Sequence, residues 1–114
     1  MNTTTVILAG KTVEVDDEGF LWNRSDWNEE VAKEMAKADN CELTDKHWEV
    51  IHFMRKYYEL YQVSPNVRVL AKAIAKKLGP DKGNSKYLYD LFPYGGPGKQ
   101  GLKYAGLPRP GCVL

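Results

Sequence analysis

The chain is 114 residues long, 43% hydrophobic and 27% charged, with a formal net charge of +1, the composition of one ordinary globular domain with a single modest core. No apolar run approaches the roughly 18 to 20 residues needed to cross a bilayer, and the N-terminus lacks the basic and apolar regions of a signal peptide, so a cytoplasmic protein with no membrane span is expected. The small total hides an asymmetry: residues 1–64 carry net −6, residues 65–90 net +4 and residues 91–114 net +3, a basic C-terminal half that can favour a thiolate or attract an acidic partner or nucleic acid.

Val6-Ile7-Leu8 and Thr12-Val13-Glu14-Val15 flank Gly10, with Asp16-Asp17-Glu18-Gly19 behind them, which predicts a short hairpin followed by a turn. The pattern then turns helical. Asp26 or Asn28 can cap a first helix, with Glu29 and Glu30 in its first turn and Val31, Met35 and Ala38 facing inward. Thr44 can cap a longer second helix, in which Trp48, Ile51, Met54, Tyr58 and Tyr61 recur at three- or four-residue steps as a core stripe. His47 and His52 are five apart and do not share a helix face, which argues against a metal pair.

Ser64-Pro65 starts a third helix that Gly79-Pro80 stops, with Val67, Leu70, Ala73, Ile74 and Leu78 inward. On it, Arg68, Lys72 and Lys76 fall at successive four-residue steps and form one basic stripe. A fourth short helix follows Gly83-Asn84-Ser85, carrying Tyr87, Leu88, Leu91 and Phe92, and a fifth begins near Pro97 and fades at Gly106. Gly95-Gly96-Pro97-Gly98 reads as a flexible hinge; a phosphate loop would need a preceding strand and a following Lys-Ser/Thr pair, and has neither. The fold class is therefore mainly α: a small helical bundle with an N-terminal β-hairpin, residues 1–105, and a flexible C-terminal arm, residues 106–114.

The two cysteines differ in setting. Cys41 lies between helical patterns with no second cysteine at ligand spacing, so it reads as an incidental loop or packing thiol and no zinc site or other metal or cofactor is expected. Cys112 follows Gly106-Leu107-Pro108-Arg109-Pro110-Gly111, a run that neither continues a helix nor pairs as a central strand. An exposed thiol on such an arm could reach another protein's active site. Terminal cysteines can also be incidental.

Several separated segments carry a resemblance: Asp17-Glu18-Gly19-Phe20-Leu21, His47-Trp48, Val67-Arg68-Val69-Leu70, Gly83 to Tyr89, Leu91-Phe92-Pro93, Lys99-Gln100, Ala105-Gly106-Leu107-Pro108 and Cys112. Together they resemble the DsrC/TusE family of small sulfur-carrier proteins, which includes the gamma subunit of dissimilatory sulfite reductase, over nearly the whole chain. The resemblance implies a helical domain whose late cysteine, here Cys112, accepts sulfur as a persulfide. It implies donor and acceptor partners of the TusBCD or DsrEFH kind, in a relay toward tRNA 2-thiolation on the TusE branch or with dissimilatory sulfite reductase on the DsrC branch. Full DsrC proteins carry a second arm cysteine where this chain has Leu102; its absence fits a one-cysteine, TusE-like carrier or a divergent DsrC-like protein, whereas Tyr57-Tyr58 and the run from Lys86 to Gly95 look more like the DsrC branch. The arm is one residue shorter between Pro110 and Cys112, and Leu114 extends the chain by one residue beyond the usual end.

On this reading Cys112 is the reactive residue, a sulfurtransferase only in the stoichiometric, relay sense. Arg68, Lys72, Lys103 and Arg109 could lower its pKa if the arm folds back on the basic helix, or could simply be solvated. Two rival classes stay open. Arg68, Lys72, Lys76 and Lys77 could belong to a helix-turn-helix-like module that meets DNA phosphate, or the chain could be a structural subunit of a sulfite reductase complex.

Overall fold

The fold is known from a computed structural model that describes residues 3–108. Strands β1 (Thr4–Leu8) and β2 (Lys11–Val15) pair antiparallel, with Thr4 opposite Val15 and Leu8 opposite Lys11. Their alternation turns Val13 and Val15 into the core while Ile7 faces solvent. Asp16 closes the turn that follows, its carboxylate accepting from the backbone N–H of Glu18 and Phe20 at 2.9 and 3.0 Å.

Four helices follow: α1 (Glu29–Ala38), α2 (Asp45–Tyr61), α3 (Val67–Leu78) and α4 (Ser85–Leu91). Asn28, Asn66 and Asn84 cap α1, α3 and α4, each side-chain oxygen accepting from a backbone N–H three residues on, at 2.9, 2.9 and 2.8 Å. Asn28 rather than Asp26 is the first cap; Asp26 lies in a 3₁₀ turn, Arg24–Asp26, that the sequence reading missed. The third helix starts two residues past Pro65, at Val67, because Asn66 supplies the cap. The remaining chain forms a π-helical turn, Pro97–Gly101, running directly into α5 (Leu102–Tyr104).

The core gathers Val31 and Met35 of α1, Val50, Ile51 and Met54 of α2, Leu70 and Ile74 of α3, Leu88 of α4, and Phe92, Leu102, Tyr104 and Leu107. Each large apolar side chain sealed in this way contributes about 2 kcal/mol relative to exposure. Ala38 and Tyr61, expected inward, are exposed: each sits in the last turn of its helix, past the end of the face that packs.

Two corrections bear on the C-terminal half. The segment read as a hinge is tied down: Gly96 N–H bonds Phe92 O at 2.7 Å, Tyr94 N–H bonds the Gln100 side-chain oxygen at 2.6 Å, and Gly96 and Pro97 are buried. Residues Gly106 and Leu107, assigned to the arm, lie in the core, with Leu107 only 1% exposed. Leu102 is fully buried as well, so at the position of the second arm cysteine this chain places a core residue.

Candidate functional site

Cys112 and Arg109 lie outside the described residues. What the structure describes is the base from which they depart, where the fold ends helix α5. The last four carbonyls of a helix have no partner within it. Here each finds one. Gly106 N–H bonds Lys103 O and Leu107 N–H bonds Leu102 O, both at 3.1 Å, the paired bonds of a Schellman motif. The motif needs a left-handed residue, and Gly106 has φ +70°; its missing Cβ also leaves room for the Trp27 ring, which lies against it.

The other two carbonyls are held by side chains from distant elements. The Trp27 indole N–H donates to Tyr104 O at 2.6 Å, and the Arg55 guanidinium donates to Ala105 O at 2.6 Å. Further on, the Ser64 hydroxyl donates to Pro108 O at 2.8 Å. The Arg55 guanidinium also lies 3.9 Å from the centroid of the Trp27 ring, a cation–π contact that fixes both donors at once. Burial pulls the Arg55 pKa below its ordinary value, with Arg24 opposing its charge and Glu59 supporting it; an arginine nonetheless stays charged at neutral pH. Arg24 sits nearby with its guanidinium 4.5 Å over the Tyr58 ring, so two cations stand on the side of the fold that anchors the C-terminal segment.

A second polar cluster lies beneath. Asp39 Oδ2 accepts from the Tyr104 hydroxyl at 2.7 Å and from Lys103 Nζ at 2.8 Å, and the Gln100 side-chain N–H donates to the Tyr104 oxygen at 3.0 Å. Burial first, then the hydrogen bond to Asp39, pushes the Tyr104 phenol up, so it is a neutral donor throughout the physiological range. Cys41 is half-buried beside this cluster. Burial raises its thiol pKa and the Asp39 charge raises it further, against hydrogen bonds to Tyr104 and Gln100. Cys41 is thus a protonated, poorly nucleophilic thiol near neutral pH, in keeping with a packing role.

Of the candidate cations, Arg68, Lys72 and Lys103 lie among the described residues. Lys103 is paired with Asp39 and largely covered, so its charge is already compensated. Arg68 and Lys72 sit exposed on α3. The residues that the sequence reading missed are Trp27, Arg55 and Ser64. They bond backbone atoms 77, 50 and 44 positions away, and nothing in the local pattern marks such partners. Among the described residues no cluster of three or more metal-ligating side chains occurs, and no helix is long and apolar enough to cross a membrane.

Comparison with known proteins sets this geometry in a lineage. The family model described as DsrC like protein matches residues 7–113. The chain is 54% identical over 105 residues to the sulfurtransferase TusE homolog of Haemophilus influenzae, covering 92% of this chain and 95% of that one. It is 48% identical to sulfurtransferase TusE of Escherichia coli over the same shares of the two chains. The NMR structure of Allochromatium vinosum DsrC superposes with a TM-score of 0.87 at 59% identity, covering 97% of this chain and 99% of that one. The oxidised gamma-subunit of the dissimilatory sulfite reductase (DsrC) from Archaeoglobus fulgidus gives 0.82 at 41%, covering 96% and 100%. The expectation drawn from the scattered motifs holds, and this chain belongs to the DsrC-like protein family.

Proposed function

We propose that the protein is a sulfur carrier of a sulfur relay, taking sulfur as a persulfide on Cys112 and passing it to an acceptor protein. The observation that carries this reading is the contrast between the two thiols. Cys41 is half-buried with its pKa raised, whereas Cys112 stands four residues beyond Pro108, the last position anchored by a described side chain. Four residues of extended chain span up to about 14 Å, so the thiol can enter a partner's site while the domain stays outside it. The family's sulfurtransferase members support the same chemistry.

In the loading step the Cys112 thiolate attacks the outer sulfur of a donor persulfide. The new S–S bond forms as the donor's S–S bond breaks, the donor cysteine leaves as thiolate, and the proton stays on the transferred sulfur. Delivery is the same exchange in reverse sense: an acceptor thiolate takes the outer sulfur and Cys112 leaves as thiolate. No external oxidant or reductant is required. Arg109, the nearest cation in sequence, together with Arg68 and Lys72, would favour the anion; Lys103, held by Asp39, would contribute least. Its partners would be cytoplasmic donor and acceptor proteins of the TusBCD or DsrEFH kind, or dissimilatory sulfite reductase. The DNA-binding alternative rests on lysine spacing alone.

The test is mass spectrometry of reduced protein after incubation with a cysteine desulfurase and cysteine. A gain of one sulfur, about 32 Da, on the Cys112 peptide, kept in Cys41→Ser and lost in Cys112→Ser, is expected. No gain on Cys112 while that thiol still alkylates would overturn the carrier reading and return weight to a structural subunit.

A further inference from the structure

A groove of about 270 Å³ runs between α2 and α3 on the surface. Phe53, Tyr57, Leu60 and Ala73 supply its apolar lining, and its charged lining is cationic only: Lys56 from α2, Lys76 and Lys77 from α3. Among the described residues none of these three lysines takes part in an ion pair. The nearest carboxylate on α2, Glu59, is not part of the groove lining. At the end of α2 the apolar surface continues outward: Leu60, Tyr61 and Val63 are 67%, 61% and 55% exposed. Large apolar side chains grouped and rimmed by like charges mark a surface that meets another molecule.

We propose that this groove docks an acidic amphipathic helix of a partner protein, its apolar stripe on Tyr57 and Leu60 and its carboxylates against the three lysines. The mode is a helix laid in an apolar groove, with charge setting orientation. Three uncompensated cations on both flanks of an apolar floor select an acidic occupant over a neutral or basic one. A nucleic acid stacking on the exposed Tyr61 is the competing occupant, and the RNA comparator below decides against or for it. The surface is also continuous with the proposed carrier function, on which its physiological meaning rests. Val63 precedes Ser64, whose hydroxyl holds Pro108, so a partner seated here stands beside the point from which the Cys112 segment departs.

The full chain, labelled with ¹⁵N, is titrated with a designed helical peptide of about 18 residues, ~27 Å long, bearing leucines on one face and glutamates on the flanks. A lysine-for-glutamate version of the peptide and a single-stranded RNA serve as comparators. Amide shifts confined to residues 53–61 and 73–77, absent with the lysine peptide and weakened at least about tenfold by Lys76→Glu/Lys77→Glu, are expected. Leu60→Ser, at an exposed position that leaves the core untouched, weakens the same binding through the apolar floor. Shifts elsewhere on the fold, equal binding of the lysine peptide, or tighter binding of RNA would each overturn the proposal. Persulfide loading of Cys112 is measured on the same variants. Loss of groove binding with loading intact separates this surface from the carrier chemistry, and groove binding without loading separates it the other way.

Discussion

The Arg55 guanidinium lies 3.9 Å from the centroid of the Trp27 indole, and the two side chains donate to consecutive carbonyls, Ala105 and Tyr104, at 2.6 Å each. One residue comes from the middle of α2 and the other from the loop before α1. Together with the Schellman bonds of Gly106 and Leu107 they end the last helix and hold the chain where it runs on toward Pro108.

This pair predicts a separation between stability and chemistry. Arg55→Met keeps most of the apolar stem but removes a charge-assisted hydrogen bond and the cation–π contact, and leaves Ala105 O without its donor. The expected cost is about 2 kcal/mol, read as a fall in the urea midpoint. Persulfide loading of Cys112 by a small polysulfide should be unchanged, while sulfur delivery to an acceptor protein slows. Equal slowing of both would show that Arg55 acts on the thiol rather than on the direction of departure.

Lys103 separates two roles differently. Its ammonium lies 2.8 Å from Asp39 Oδ2, with only 20% of the side chain exposed. Lys103→Met should lower stability by about 1–2 kcal/mol, because Asp39 then keeps Tyr104 as its donor but loses its cationic partner. The alkylation rate of Cys112 across pH 6 to 9 should match that of the wild type, pH values chosen to bracket an ordinary thiol at about 8.5. A rightward shift of that rate profile would mean the lysine does act on the thiol.

His47 makes stability depend on pH. Its Nδ1 accepts from the Thr44 backbone N–H at 3.1 Å, and its Nε2 bonds Leu91 O at 2.7 Å, so the ring is neutral with the proton on Nε2. Burial lowers its pKa, against the hydrogen bond to Leu91. The unfolded chain therefore takes up this proton before the folded one does. Stability is full above the ordinary value of about 6.5 and falls as pH drops toward the lowered folded value. Urea unfolding between pH 7.5 and 5 should show this loss in the wild type and a smaller one in His47→Gln. An identical pH dependence in the two proteins would remove His47 from the account.

Local structure was legible in the chain itself. The hairpin, the helices and most of their inward faces follow from apolar periodicity and capping residues, because those signals act over three or four residues. Where the reading slipped, a competing local partner had won: Asn66 took the cap assigned near Ser64, and Ser64 was left free to hold Pro108. Gly96 and Gly106 looked like freedom in sequence, yet both are pinned, one by Phe92 O and the other between a Schellman turn and the Trp27 ring.

The helical class, a late thiol and the family motifs around it are all written in the order of residues. Tertiary structure alone decided which cations are free and which are engaged, that Cys41 is withdrawn, and that Trp27, Arg55 and Ser64 anchor the chain before Cys112. The physical reason is range. Helix periods and caps are written within a turn, whereas a donor on residue 27 and a carbonyl on residue 104 meet only when the core that separates them in the chain has packed.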